Sequence, residues 1–66
     1  MYKYKLTYIA VRRDDKGVQR NVETCIYSHN SHIDWIRDKT MIERDIVLSQ
    51  GLQDCIIFSY QEVNDD

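Results

Sequence analysis

Apolar and polar positions alternate along the first eleven residues. Tyr2, Tyr4, Leu6, Tyr8 and Ala10 fall on one side of an extended chain. Lys3, Lys5 and Thr7 fall on the other, before Ile9 and Val11 make that side apolar as well. A period of two marks a β-strand, and tyrosines and β-branched residues suit a pleated surface. The pattern predicts a first strand over about residues 2–13. Asp14-Asp15-Lys16-Gly17 interrupts it. Aspartate opens tight turns, and glycine accepts the positive φ that closes a hairpin with a bulge. Alternation resumes over about 18–28, with Val18, Val22 and Ile26 on one face and Gln19, Asn21, Glu23, Cys25 and Tyr27 on the other.

The period changes within YSHNSHIDWIRDK, residues 27–39, which holds both histidines and the single tryptophan. Beyond it, apolar residues recur at helical spacing. Ser31 followed three residues later by Asp34 resembles a capping box, with Ser28 and Asn30 as alternative caps. A helix is therefore expected over about 32–49, ended by Gly51 in the left-handed conformation. On that helix Trp35, Ile42 and Ile46 cluster, and Ile33, Ile36, Val47 and Leu48 lie beside them with Met41 at the margin. Asp34, Asp38 and Asp45 share a narrow acidic side. The sheet either covers the whole apolar arc, or leaves an apolar edge and the aspartates as a binding surface.

A third strand is expected over about 53–63. Cys55, Ile56, Ile57 and Phe58 are apolar on both faces, the mark of a well-covered strand. A right-handed crossover from the second strand brings the third beside the first. The predicted fold is one α+β domain over residues 1–66: a three-stranded antiparallel sheet in order 2-1-3, with the helix on one face and the other face open. The closing residues Asn64-Asp65-Asp66 are expected to fray.

Size sharpens the question of what supports such a fold. The chain has 66 residues, and a domain of that size buries only about 60% of its unfolded surface. Disulfides, a metal or a second subunit usually assist. Two cysteines do not make a disulfide framework. The Met1-Tyr2-Lys3 start carries no signal-peptide pattern, so the expected compartment is the reducing cytoplasm. No apolar run approaches the roughly 20 residues of a membrane span. Proline is absent and glycine occurs twice, which points to order throughout rather than to a linker. A homodimer or a larger protein partner is the expected support.

Charge is polarised along the chain. Residues 1–20 carry six basic side chains against two acidic, a balance of +4, and residues 21–66 carry three against nine, a balance of −6. Such asymmetry bears on partner choice and association rate.

The candidate chemistry is sparse. His29 and His32 with Cys25 and Cys55 offer four zinc-type ligands, but zinc modules present a close cysteine pair, and these two stand 30 positions apart. The histidines are read as loop and cap residues, with no metal and no cofactor expected. A cysteine–histidine nucleophile is disfavoured because a thiol in mid-strand is usually inert. There is no glycine-rich phosphate loop and no catalytic motif, so the expectation is a non-enzymatic protein. The alternative to protein binding is RNA or DNA binding, with Tyr2, Tyr4 and Tyr8 stacking on bases and the basic hairpin meeting phosphates. The net acidity counts against it.

The hairpin Leu6–Tyr27, Asp34-Trp35 early in the expected helix, and Asp54-Cys55-Ile56-Ile57-Phe58 in the last strand resemble, in order and length, the Dmd antitoxins. That family blocks RNA-cleaving toxins by protein contact. Anti-CRISPR proteins of comparable size fit the same outline. The resemblance implies a phage-type inhibitor of a host or bacterial enzyme, nuclease or defence complex. Such a protein would act in the host cytoplasm by occlusion. It transfers no binding residues. Residue type and expected face nominate Trp35, Tyr4 and Tyr8 as buried anchors and Arg12, Arg13, Asp34 and Asp38 as charge partners.

Overall fold

The central strand is β1, Tyr2–Asp14, and the alternating tyrosines explain its place. One face can bury large rings while the backbone pairs on both edges. The computed structural model describes residues 1–63, so the fraying expected at 64–66 lies outside the described residues. β2 is Gly17–His29, α1 is Lys39–Gln50 and β3 is Asp54–Val63. The sheet has the order β2-β1-β3, and both pairings are antiparallel, as the sequence pattern predicts.

The hairpin closes through Asp15-Lys16. Pairing runs from Asp14 opposite Gly17 to Tyr2 opposite His29 with no shift of register, so the bulge expected here is not formed. Gly17 has φ 119°, a conformation that a side chain would strain. Asp14 Oδ1 accepts the Lys16 N–H at 2.8 Å, which fixes the turn. The register shift occurs instead between β1 and β3, at Thr7/Tyr8. Ile57 lies opposite Tyr8, Ser59 opposite Thr7 and Tyr60 opposite Leu6. Two residues, Phe58 and Ser59, therefore separate the covered-face positions Ile57 and Tyr60 where regular pairing needs one.

Tyr4, Leu6, Tyr8 and Ala10 from β1 are buried beneath Ile42 and Ile46 of α1. Cys55 and Ile57 of β3 and the loop residues Ile33 and Leu52 complete this core. Gly51, at φ 65°, ends α1 as predicted, and Leu52 donates its N–H back to the Val47 carbonyl at 3.0 Å.

The helix is shorter than its sequence pattern suggests. It begins at Lys39, and residues 35–37 form a turn instead. Aspartate side chains compete with the helix for backbone donors. Asp34 Oδ1 accepts the N–H groups of Ile36 at 3.1 Å and Arg37 at 3.3 Å. Asp38 Oδ2 accepts the Asp34 N–H at 3.2 Å, while the Asp38 N–H returns to the Asp34 carbonyl at 2.6 Å. The N-cap is Asp38, with no side-chain capping bond, rather than Ser31. The expected acidic helix side is lost, since only Asp45 of the three aspartates lies within the helix. The expected double coverage of β3 also fails: Ile56 is 45% and Phe58 56% exposed, because α1 covers only one face.

Candidate interaction surface

The residues nominated from the sequence do not form one exposed patch, although Trp35 meets Tyr4 and Asp34 bonds to Asp38. Tyr4 and Tyr8 lie on the covered face, 4% and 1% exposed, so their rings are core and not surface. Tyr4 Oη accepts the Ile33 N–H at 3.2 Å and sits 3.4 Å from His32 Nδ1. Tyr8 Oη accepts from Gln50 Nε2 at 2.9 Å. Trp35 is half-buried in the turn before α1. Its ring stacks on Tyr60 with centroids 3.9 Å apart and meets the edge of Tyr4 at 6.0 Å. Its expected place on the helix is corrected to this turn.

The charged candidates are largely occupied within the chain. Arg12 grips Glu23 on the neighbouring strand through two nitrogens, one at 3.1 Å. The guanidinium, by hydrogen bond and charge, holds the Glu23 carboxyl below its ordinary value. Asp34 is the hub of the turn. Asp38 accepts from Arg37 Nε at 3.1 Å and from the Asp34 N–H, and both bonds lower its pKa, Arg37 the more. Arg13 is exposed on the face opposite Tyr4 and Tyr8.

The zinc-type constellation is likewise spread out. Cys25 lies opposite Leu6 and Cys55 opposite Ala10, on either side of β1, and both thiols are free. Burial raises the Cys25 thiol, and burial together with the Glu43 charge pushes Cys55 up to about 11. Both changes oppose the thiolate form a nucleophile needs. His29 bonds locally to Ser31, and His32 packs on Tyr2 with ring centroids 4.0 Å apart. A shallow groove of about 250 Å³ lies where α1 meets the start of β3. Of its two carboxylates, Glu43 is engaged by the Ile57 N–H at 2.7 Å and Lys39 at 3.5 Å, and Asp54 by the Cys55 N–H at 2.8 Å.

The surface that remains is the open face of the sheet. Val22, Ile9 and Ile56 are paired directly across the three strands and form a transverse aliphatic row. Val18 at 46%, Ile26 at 59% and Phe58 at 56% exposure extend it. Among the described residues, Lys3, Lys5, Arg13 and Arg20 frame this face against one carboxylate, Asp54. Among the described residues the helix side carries the opposite balance: Asp14, Glu23, Asp34, Asp38, Glu43, Asp45 and Glu62 against Arg12, Arg37, Lys39 and Arg44. The charge asymmetry along the sequence thus becomes an asymmetry between the two faces of one sheet. Period-two alternation did place Val18, Val22 and Ile26 together, and was the available signal for this surface. Reading Ile56 and Phe58 as covered on both faces hid its other half.

Among the described residues, no helix is long and apolar enough to cross a membrane. No family model matches the chain, and neither a curated protein nor a solved structure was found to match it.

Proposed function

We propose that this chain is a non-catalytic protein-binding module that docks through the open face of its sheet. The observation that carries this reading is the aliphatic row Val22–Ile9–Ile56, left uncovered and framed by basic side chains. Contiguous apolar surface on so small a protein favours a partner. The complementary surface is apolar at its centre and acidic at its rim, because like charges at a rim oppose docking and opposite ones steer it. The mode of action is occlusion, in keeping with the resemblance to small phage-type inhibitors of bacterial enzymes, nucleases or defence complexes. The face is aliphatic, with Phe58 its one aromatic ring, and the tyrosines needed to stack bases are largely packed inside. That favours protein over nucleic acid as the ligand.

The test is affinity capture of the tagged full chain from bacterial lysate, with and without nuclease, run beside Ile56→Asp and Phe58→Asp. Both side chains are about half exposed, so the variants are expected to fold, as circular dichroism would check. A protein retained by the parent after nuclease treatment, and released by both variants, is the expected result. Retention unchanged in both variants, or capture abolished by nuclease, would sink the reading.

A further inference from the structure

The two outer edges of the sheet are treated differently, and the difference points to a second copy of this chain. An edge strand presents unpaired N–H and C=O groups, and proteins commonly blunt them. On β3, Glu43 accepts the outward N–H of Ile57 at 2.7 Å, and Asp54 Oδ1 accepts the N–H of Cys55 at 2.8 Å. β2 is instead exposed or half-buried along all 13 residues. It has no proline and keeps unbroken register with β1. We propose that β2 pairs with β2 of a second copy, antiparallel and centred on Val22, to form a two-fold dimer with one six-stranded sheet.

The hydrogen-bonding direction follows from the known contacts. Val11 turns its carbonyl to the β3 side, where Gln53 donates to it at 2.8 Å. Ile57, opposite Tyr8, turns its N–H away from β1. Neighbouring residues of a strand bond to opposite sides. The even-numbered residues of β1 therefore bond to β2, and they meet odd-numbered partners there. This leaves Val18, Arg20, Val22, Thr24, Ile26 and Ser28 with outward N–H and C=O groups. Arg20 is the single charge among them.

Side-chain pairing selects the register. Centring on Glu23 would set two carboxylates against each other across the axis, which is unfavourable. Centring on Thr24 pairs Val22 with Ile26. Centring on Val22 pairs Val22 with itself, Val18 with Ile26 and Glu23 with Asn21, and places no like charges opposite one another. It also extends the aliphatic row of each copy, through Ile56, Ile9 and Val22, into one row across six strands. Area favours the same arrangement. Three strands of this length present a face of roughly 600 Å² from strand rise and spacing, below the roughly 800 Å² per partner of a standard interface. Two faces joined edge to edge exceed it. Only this area comparison rests on the docking reading; Ile56 and Phe58 variants test docking and Val22 variants test the dimer.

The experiment is sedimentation equilibrium of the full chain, with Val22→Pro and Val22→Cys. A concentration-dependent dimer is expected. Proline at 22 removes an outward N–H and leaves the β1 ladder intact, as edge strands allow. It should weaken dimerisation by about tenfold or more through two symmetric hydrogen bonds. If Val22→Pro fails to fold, cross-linking decides. Val22→Cys should form an intermolecular disulfide under mild oxidation and Thr24→Cys should not, because only position 22 meets itself across the axis. A chain that stays monomeric to millimolar concentration overturns the proposal. So does a dimer in which folded Val22→Pro associates as the parent does, or in which Thr24→Cys cross-links in preference to Val22→Cys.

Discussion

Glu43 of α1 accepts the backbone N–H of Ile57 in β3 at 2.7 Å, so a helix side chain closes a sheet edge. Glu43→Ala leaves that donor without its partner and is expected to cost about 1–3 kcal/mol. Glu43→Gln retains an acceptor oxygen and should recover most of the loss. Urea unfolding of the three proteins checks this. Equal losses for alanine and glutamine would assign the effect to the Lys39 ion pair instead.

Trp35 is held by Tyr60 on one side and by the edge of Tyr4 on another. Trp35→Ala should lower stability by about 2–4 kcal/mol, the lower part of the range for aromatic truncation because the ring is half-buried. Trp35→Phe should lose less. The ring is also a built-in probe. Its fluorescence transition in urea should coincide with loss of far-ultraviolet circular dichroism if the turn and the sheet unfold as one unit.

Tyr4 acts here as a structural residue. Tyr4→Phe removes the acceptor for the Ile33 N–H and should cost about 1–3 kcal/mol. Partner capture at temperatures where the variant is folded should be unchanged. Loss of capture in a fully folded variant would return Tyr4 to the binding surface.

The two thiols should differ in reactivity. Cys25 is partly accessible, whereas Cys55 is 2% exposed and its pKa is pushed from 9.0 to about 11. Iodoacetamide near neutral pH should modify Cys25 well before Cys55, as peptide mass spectrometry would show. A raised folded value means that the neutral thiol is preferred in the fold. That contribution is complete below pH 9.0 and is lost as pH rises through about 11. Tyr8 and Tyr27, both raised chiefly by burial, act in the same direction. Thermal stability should fall over that alkaline window.

The acid limb has the opposite sign. Glu23 and Asp38 have lowered folded values, chiefly through Arg12 and Arg37 respectively. Their contributions are present above the unfolded carboxylate values and disappear as pH falls through the lowered folded ones. Glu23→Gln should therefore flatten the acid side of the stability profile. Added salt should reduce the difference between variant and parent, since the pair is near the surface.

Strand periodicity carried most of the architecture. Tyr4, Leu6, Tyr8 and Ala10 share the covered face because a period of two admits little else, and the turn residues placed the hairpin. The helix start was not legible. Asp34 and Asp38 read equally well as the acidic side of a longer helix, and only their bonds to nearby backbone groups show that they stop it. Tyr4 and Tyr8 lie in the core rather than on the surface for a related reason. Alternation says which residues share a face but not which face the helix will choose. Tyrosines, suited to either, went inside, and the aliphatic face stayed open.

The extra residue in β3 sets the phase of everything after it. Cys55 and Ile57 face the helix layer, and simple alternation would send Tyr60 to the opposite side. With Phe58 and Ser59 both intervening, Tyr60 returns to the helix side and gives Trp35 its platform. The strand behaves as two reading frames joined at one point. Removing Phe58 or Ser59 would abolish the bulge and leave Tyr60 and Glu62 on the helix side by plain alternation. With both residues kept, it is the bulge alone that holds the second frame in phase, since regular pairing of the same chain would turn Tyr60 and Glu62 to the open face.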